Sequence, residues 1–169
     1  MAQALIAFEG IDEPALAALA GALAPQLAQG GVLHLCGSLG AGKTTFARAL
    51  LRALGVGERI KSPTYTLIET YALGELSVHH LDLYRIAAAD ELEWLGLRDL
   101  AAGRQLWLIE WPERGAGMLP PADLNVLLEH AGAARNVRLE ATSGQGEAWL
   151  RSMTFPAAAH IAQQVSPHS

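Results

Sequence analysis

An apolar run, VLHLC (Val32–Cys36), passes directly into GSLGAGKTT (Gly37–Thr45), and no other segment restricts the possible folds so much. The run reads as a buried strand. Thr44–Leu54, beyond the loop, has helical spacing and stops at Gly55. Strand, glycine loop and helix in that order make a phosphate cradle, because glycines permit the backbone angles and close approach by which successive N–H groups surround an anion at a helix N-terminus. Gly37, Gly40, Gly42, Lys43 and Thr44 satisfy the P-loop pattern G-x-x-x-x-G-K-[ST], Gly40 being additional to the minimum. Lys43 is then expected to reach the β- and γ-phosphates of a nucleotide, Thr44 to ligate Mg²⁺ through its hydroxyl, and Thr45 to lie by the α-phosphate.

Such a cradle needs a carboxylate at the end of another strand to hold the magnesium ion or its water. Two fit. Glu110 follows LWLI (Leu106–Ile109) and Asp82 follows VHHL (Val78–Leu81), and either would project toward the phosphate crevice from a strand terminus. Glu110 is the first choice and Asp82 the second. In KSPT (Lys61–Thr64), Pro63 stiffens a segment in which the Thr64 hydroxyl can sense the γ-phosphate or metal; the plainer reading is an X-Pro turn entering a strand. Alternation puts His80 on the face of Asp82, but a histidine in a hairpin strand is more often hydrogen-bonded and structural than a zinc ligand, and His79 is read the same way. Trp94, Trp107 and Trp111 read as core or rim aromatics, with Trp111 set apart because it adjoins Glu110.

The remaining segments support one domain over residues 1–153, with 154–169 as a tail that can fray. Ala4–Phe8 reads as a strand, and Asp12 with Pro14 opens a helix running to about Leu27. Lys61–Tyr71 and Ser77–Leu83 flank a turn at Gly74 as a hairpin-like unit. Asp90 and Glu93 have capping-box spacing before a short helix ending near Gly96. Gln105–Ile109 is a central strand; Leu124–Glu129 and Asn136–Ala141 are later strands, and Glu147–Met153 begins a helix. The fold class expected is α/β: a single-domain P-loop NTPase-like three-layer sandwich around a mostly parallel sheet with some antiparallel strands.

Charge and hydropathy narrow the function. A formal charge of −5 with scattered basic residues argues against a free-standing nucleic-acid binder, which needs a clustered basic surface. The apolar stretch Ala15–Ala24 is too short to span a bilayer, and the first Lys or Arg is Lys43, so neither a membrane anchor nor a secretory signal is expected; the expected location is cytoplasmic. Cys36 is the only cysteine, which excludes an intramolecular disulfide, and it reads as a small buried hydrophobe ending its strand.

Together, GSLGAGKTT, KSPTYTLIETY, HHLDLYRI, DELEWLGLRDL and LIEWPER resemble the TsaE family, bacterial ATPases required for threonylcarbamoyladenosine modification of tRNA. The motifs recur in the family's order over most of Val32–Arg114. The resemblance implies that Gly40, Ala41, Gly42, Lys43, Thr44 and Thr45 bind ATP, that Thr44 and Glu110 hold Mg²⁺, that Asp82 supports hydrolysis, and that Thr64 belongs to a switch-like loop. It further implies nucleotide contacts near Asp12–Pro14 and Arg135, and service to a TsaD–TsaB complex that itself transfers the threonylcarbamoyl group, so that tRNA is met only through that complex. Ser38 stands where the family usually has Asp, at a position contributing mainly backbone. A small-molecule kinase and a non-catalytic ATP-dependent switch are the rival readings; a guanine nucleotide is disfavoured because no N-K-x-D segment exists.

Overall fold

The computed structural model describes residues 4–96, 103–156 and 161–165. Its core is one eight-stranded sheet. In chain order the strands are β1 (Leu5–Ile11), β2 (Gly31–Cys36), β3 (Ile68–Leu73), β4 (Leu76–Asp82), β5 (Arg104–Glu110), β6 (Leu124–Ala131), β7 (Ala134–Ala141) and β8 (Ile161–Val165), with the order β3-β4-β5-β2-β6-β7-β1-β8 across the sheet. Among the described residues three α-helices accompany it: α1 (Glu13–Leu23), α2 (Lys43–Leu54) and α3 (Gly144–Ser152).

The sheet is parallel only at its centre, through the β4–β5, β5–β2 and β2–β6 pairings; both flanks are antiparallel. The parallel character expected from the sequence is thus confined to β2, β4 and β5, which carry the glycine loop and the two candidate carboxylates, and to β6 beside them. The flanks differ because tight turns join β3 to β4 and β6 to β7, and a short turn permits only an antiparallel return.

Alternation along the central strands divides the core in two. Leu106 and Leu108 of β5, with Leu33 and Leu35 of β2, face Phe46, Leu50 and Leu51 of α2 and Leu16, Leu19 and Leu23 of α1. Trp107 and Ile109 of β5, with Leu81 of β4, face the other way onto Leu83, Ile86 and Leu92. Among the described residues, 3₁₀ turns at Ala89–Leu95 and Pro112–Gly115 lie on that second face, in place of α-helices. Trp107 is a core aromatic, as its sequence context suggests, while the side chain of Trp94 and residues 97–100 lie outside the described residues.

Local chemistry explains the element ends. The Asp12 carboxylate accepts a hydrogen bond from the Ala15 N–H at 2.9 Å and caps α1. The helix expected to reach Leu27 tightens to a 3₁₀ turn at Ala24–Leu27, since Pro25 cannot donate to the α-helical ladder. The Ser143 hydroxyl caps α3, accepting from the Gly146 N–H at 3.1 Å. The capping box expected between Asp90 and Glu93 does not form: the turn starts at Ala89, and Glu91 instead accepts from the Ala87 N–H at 3.1 Å. Residues 63–66 form a turn within the segment expected to be extended, and the strand begins only at Ile68. Among the described residues, no helix is long and apolar enough to cross a membrane.

Candidate functional site

Three neighbouring parallel strands end at one place. β2 runs into the glycine loop, β4 ends at Asp82 and β5 ends at Glu110, with Asp82 and Leu35 both paired in register to Glu110. Carboxyl ends of parallel strands form the crevice in which such folds hold ligands. Here they open into a cleft of about 390 Å³ lined by Gly40, Gly42, Lys43, Thr44, Thr45, Thr64, Asp82, Glu110 and Arg135 among others. These nine residues, singled out from the sequence for a nucleotide or metal role, therefore meet, and Trp111 lines the cleft with them. Gly37 and Ala41 do not line the cleft but are closely packed in the loop between β2 and α2. Ala41 is fully buried, and a Cβ built on Gly37 would lie 2.4 Å from the Leu128 carbonyl oxygen, a contact that excludes any side chain there.

The loop presents the N-terminus of α2, whose first N–H groups lack partners in a preceding turn and so favour an anion. Lys43 is the buried cation of the cleft. Its Nζ donates to the carbonyl oxygens of Gly37 (2.6 Å) and Ser38 (2.8 Å) and lies 4.0 Å from the centre of the Trp111 ring. Burial lowers the pKa of its ammonium from the ordinary value, while the charges of Glu110, Glu113 and Asp82 act in the opposite direction.

The Thr44 hydroxyl donates to Glu110 Oε1 at 2.8 Å, and His80 Nε2 lies 2.6 Å from Glu110 Oε2, so both oxygens of a buried carboxylate are engaged. Because Thr44 donates its proton to Glu110, its oxygen lone pairs remain available to a hard cation. Asp82, less buried, accepts from the Tyr84 N–H through Oδ1 at 3.1 Å. Desolvation, then the charge of Glu110, raises its carboxyl pKa above the ordinary value. Thr64 reaches the cleft rim with its hydroxyl 2.7 Å from that of Ser62. Arg135 crosses from β7 and donates to the Gly40 carbonyl at 3.2 Å. A smaller cavity of about 70 Å³ beside it touches Ile11, Glu13, Leu16 and Thr45, so the segment around Asp12–Pro14 adjoins the cleft.

His79 is a structural histidine, as expected, bonded to Thr70 and Gln105 and packed on Trp107. Cys36 ends its strand but is half-buried rather than enclosed; burial, chiefly, pushes its thiol pKa up to about 11.

Arg85 and Tyr84 line the cleft although the sequence reading assigned them nothing. The available signal was their position just past the end of a strand whose last residue is a candidate carboxylate. Trp111 is held in a left-handed conformation (φ 57°) directly after Glu110, and its ring lies tilted against that of Tyr84 with centroids 5.0 Å apart. Both Leu39 and Tyr65 stand exposed nearby, Tyr65 beneath Arg85 at 4.6 Å.

Comparison with known proteins adds to this geometry. The family model for threonylcarbamoyl adenosine biosynthesis protein TsaE matches residues 11–137. Proteins named tRNA threonylcarbamoyladenosine biosynthesis protein TsaE are similar: that of Haemophilus influenzae is 44% identical over 116 residues, covering 69% of this chain and 73% of that protein. The Treponema pallidum protein is 39% identical over 102 residues, covering 60% of this chain and 75% of its own length. The crystal structure of Bacillus subtilis YdiB superposes with a TM-score of 0.67 at 27% identity, covering 89% of this chain and 95% of that one.

Proposed function

We propose, from the premise that the chain belongs to the TsaE family, that its cleft binds ATP with Mg²⁺ and hydrolyses it in the service of tRNA threonylcarbamoylation. One observation carries the reading: Lys43 and Thr44 on α2, Asp82 on β4 and Glu110 on β5 converge on a single cleft at a helix N-terminus.

The donor set fits magnesium, since the Thr44 hydroxyl and the Glu110 carboxylate are hard oxygen ligands 2.8 Å apart with Asp82 beside them. Thr44 and Glu110, with Asp82 beside them, would hold the ion, and Mg²⁺ would supply charge neutralisation during phosphoryl transfer. The chain does the rest. Backbone N–H groups from Gly40 to Thr45 hold the phosphates, and Lys43 exchanges its two loop carbonyls for phosphate oxygens. Glu110 keeps Thr44 oriented. Asp82 positions the attacking water and accepts its proton, a task to which a raised pKa suits it. Thr64 at the rim responds to the γ-phosphate, and Arg135 steadies the loop through Gly40.

This chain acts in the cytoplasm on a TsaD–TsaB complex rather than on tRNA directly, a role in keeping with its net negative charge. ATP would alter what it presents to that complex by ordering residues 61–64 through Thr64. The experiment titrates the chain with TsaD–TsaB in the presence of a non-hydrolysable ATP analogue and without nucleotide, alongside reconstituted tRNA modification with and without the chain. Tighter association with the analogue, a smaller difference in Thr64→Ala, and modification that requires the chain are expected. The same factor must appear when analogue affinity is measured with and without partner. Equal partner affinity in both states would overturn the switch, and modification that proceeds equally without the chain would overturn the role.

A further inference from the structure

His80 is fully buried on β4, two residues before Asp82 and on the same face. Its Nε2 lies 2.6 Å from Glu110 Oε2, while its Nδ1 has no hydrogen-bond partner among the described residues. Facing a carboxylate oxygen, Nε2 carries the hydrogen and donates it. The ring's hydrogen bonding is therefore spent on Glu110. His79, its neighbour in sequence, is different: both of its ring nitrogens are bonded, to Thr70 and Gln105, as in a histidine that only ties strands together.

Glu110 is the last residue of β5, and its side chain is held from two sides, Oε1 by Thr44 of α2 and Oε2 by His80 of β4. Without the second bond, rotation about the terminal torsion of a glutamate is broad and nearly two-fold, so either oxygen, or both, could turn toward Thr44. We propose that His80 is a positioning residue for the magnesium site: by donating to Oε2 it fixes the Glu110 carboxylate so that Oε1 alone faces Thr44 and the ion. The inference rests on the reading of Thr44 and Glu110 as the magnesium-holding pair. Hydrogen bonds that orient ligating groups from outside typically change metal affinity 10- to 100-fold when removed.

The test compares binding of a non-hydrolysable ATP analogue with Mg²⁺ and with EDTA, by calorimetry, in the wild-type chain, His80→Phe and His80→Gln, with melting temperatures recorded for each. His80→Phe keeps ring volume and removes the donor; His80→Gln places an amide N–H at similar reach and gives up no other bond. In the wild type, Mg²⁺ should strengthen binding. In His80→Phe that gain should shrink about tenfold while affinity in EDTA stays close to wild type, and His80→Gln should restore it. Should His80→Phe melt below the assay temperature, His80→Asn, whose amide stops short of Oε2, takes its place. A full Mg²⁺ gain in the donor-less variant, or its equal loss in His80→Gln, overturns the positioning role. Absence of any Mg²⁺ gain in the wild type overturns instead the magnesium reading beneath it.

Discussion

At the scale of single residues the cleft shows a conflict between stability and use. Asp82 is held above its ordinary pKa mainly by desolvation, then by Glu110, so the folded chain binds that proton more tightly than the unfolded chain does. As pH rises from the ordinary carboxylate range through the raised folded value, Asp82 therefore costs stability, and the cost is complete above it. Asp82→Asn keeps an oxygen for the Tyr84 N–H and removes the charge. The expected result is a higher melting temperature than wild type for the nucleotide-free protein at pH 7. This margin should narrow as pH falls toward the carboxylate range. Hydrolysis should fall about 10²- to 10⁴-fold, as when a general base is lost. Thermal melts across pH check the first part and phosphate release the second; a lower melting temperature at pH 7 would contradict the desolvation account.

At the scale of elements, the loop between β2 and α2 is set by contact as much as by conformation. Gly37 (φ 151°) meets the Leu128 carbonyl, whereas Gly55 at the other end of α2 (φ 104°) has open space around its missing Cβ. Alanine at Gly55 incurs only the left-handed penalty of about 1–2 kcal/mol, but at Gly37 it must also displace β6. Urea denaturation should show Gly37→Ala losing clearly more stability than Gly55→Ala, and equal losses would mean that the loop yields easily. The strand–loop–helix unit and the carboxylates at strand ends were legible in the sequence because each is a local pattern: an apolar run, a glycine spacing, a carboxylate closing a strand-like segment, LWLI before Glu110 and VHHL before Asp82. What pairs with what was not. β5 inserts between β2 and β4, which brings Glu110 against both Leu35 and Asp82, and nothing local encodes that order. His80 was likewise legible as a hydrogen-bonded histidine but not as a partner of Glu110, since the two are 30 residues apart in sequence. The tight turn between β6 and β7 closes a hairpin that short apolar runs alone do not reveal.

At the scale of the whole molecule, one mixed sheet has a parallel centre, whose strand ends open the cleft, and antiparallel flanks that extend the core. The helical face packs the loop helix along α1, while the opposite face carries the segment that frames Trp111. Everything proposed for the chain depends on this cleft taking a nucleotide through Lys43. The most direct measurement is calorimetric titration of ATP with Mg²⁺ into the wild-type chain and into Lys43→Ala, with circular dichroism confirming that both are folded. Loss of a charge-assisted contact of about 1.5–3 kcal/mol predicts that Lys43→Ala binds at least about tenfold more weakly than wild type. Equal affinity in the two proteins, or no binding by the wild type, would contradict the account.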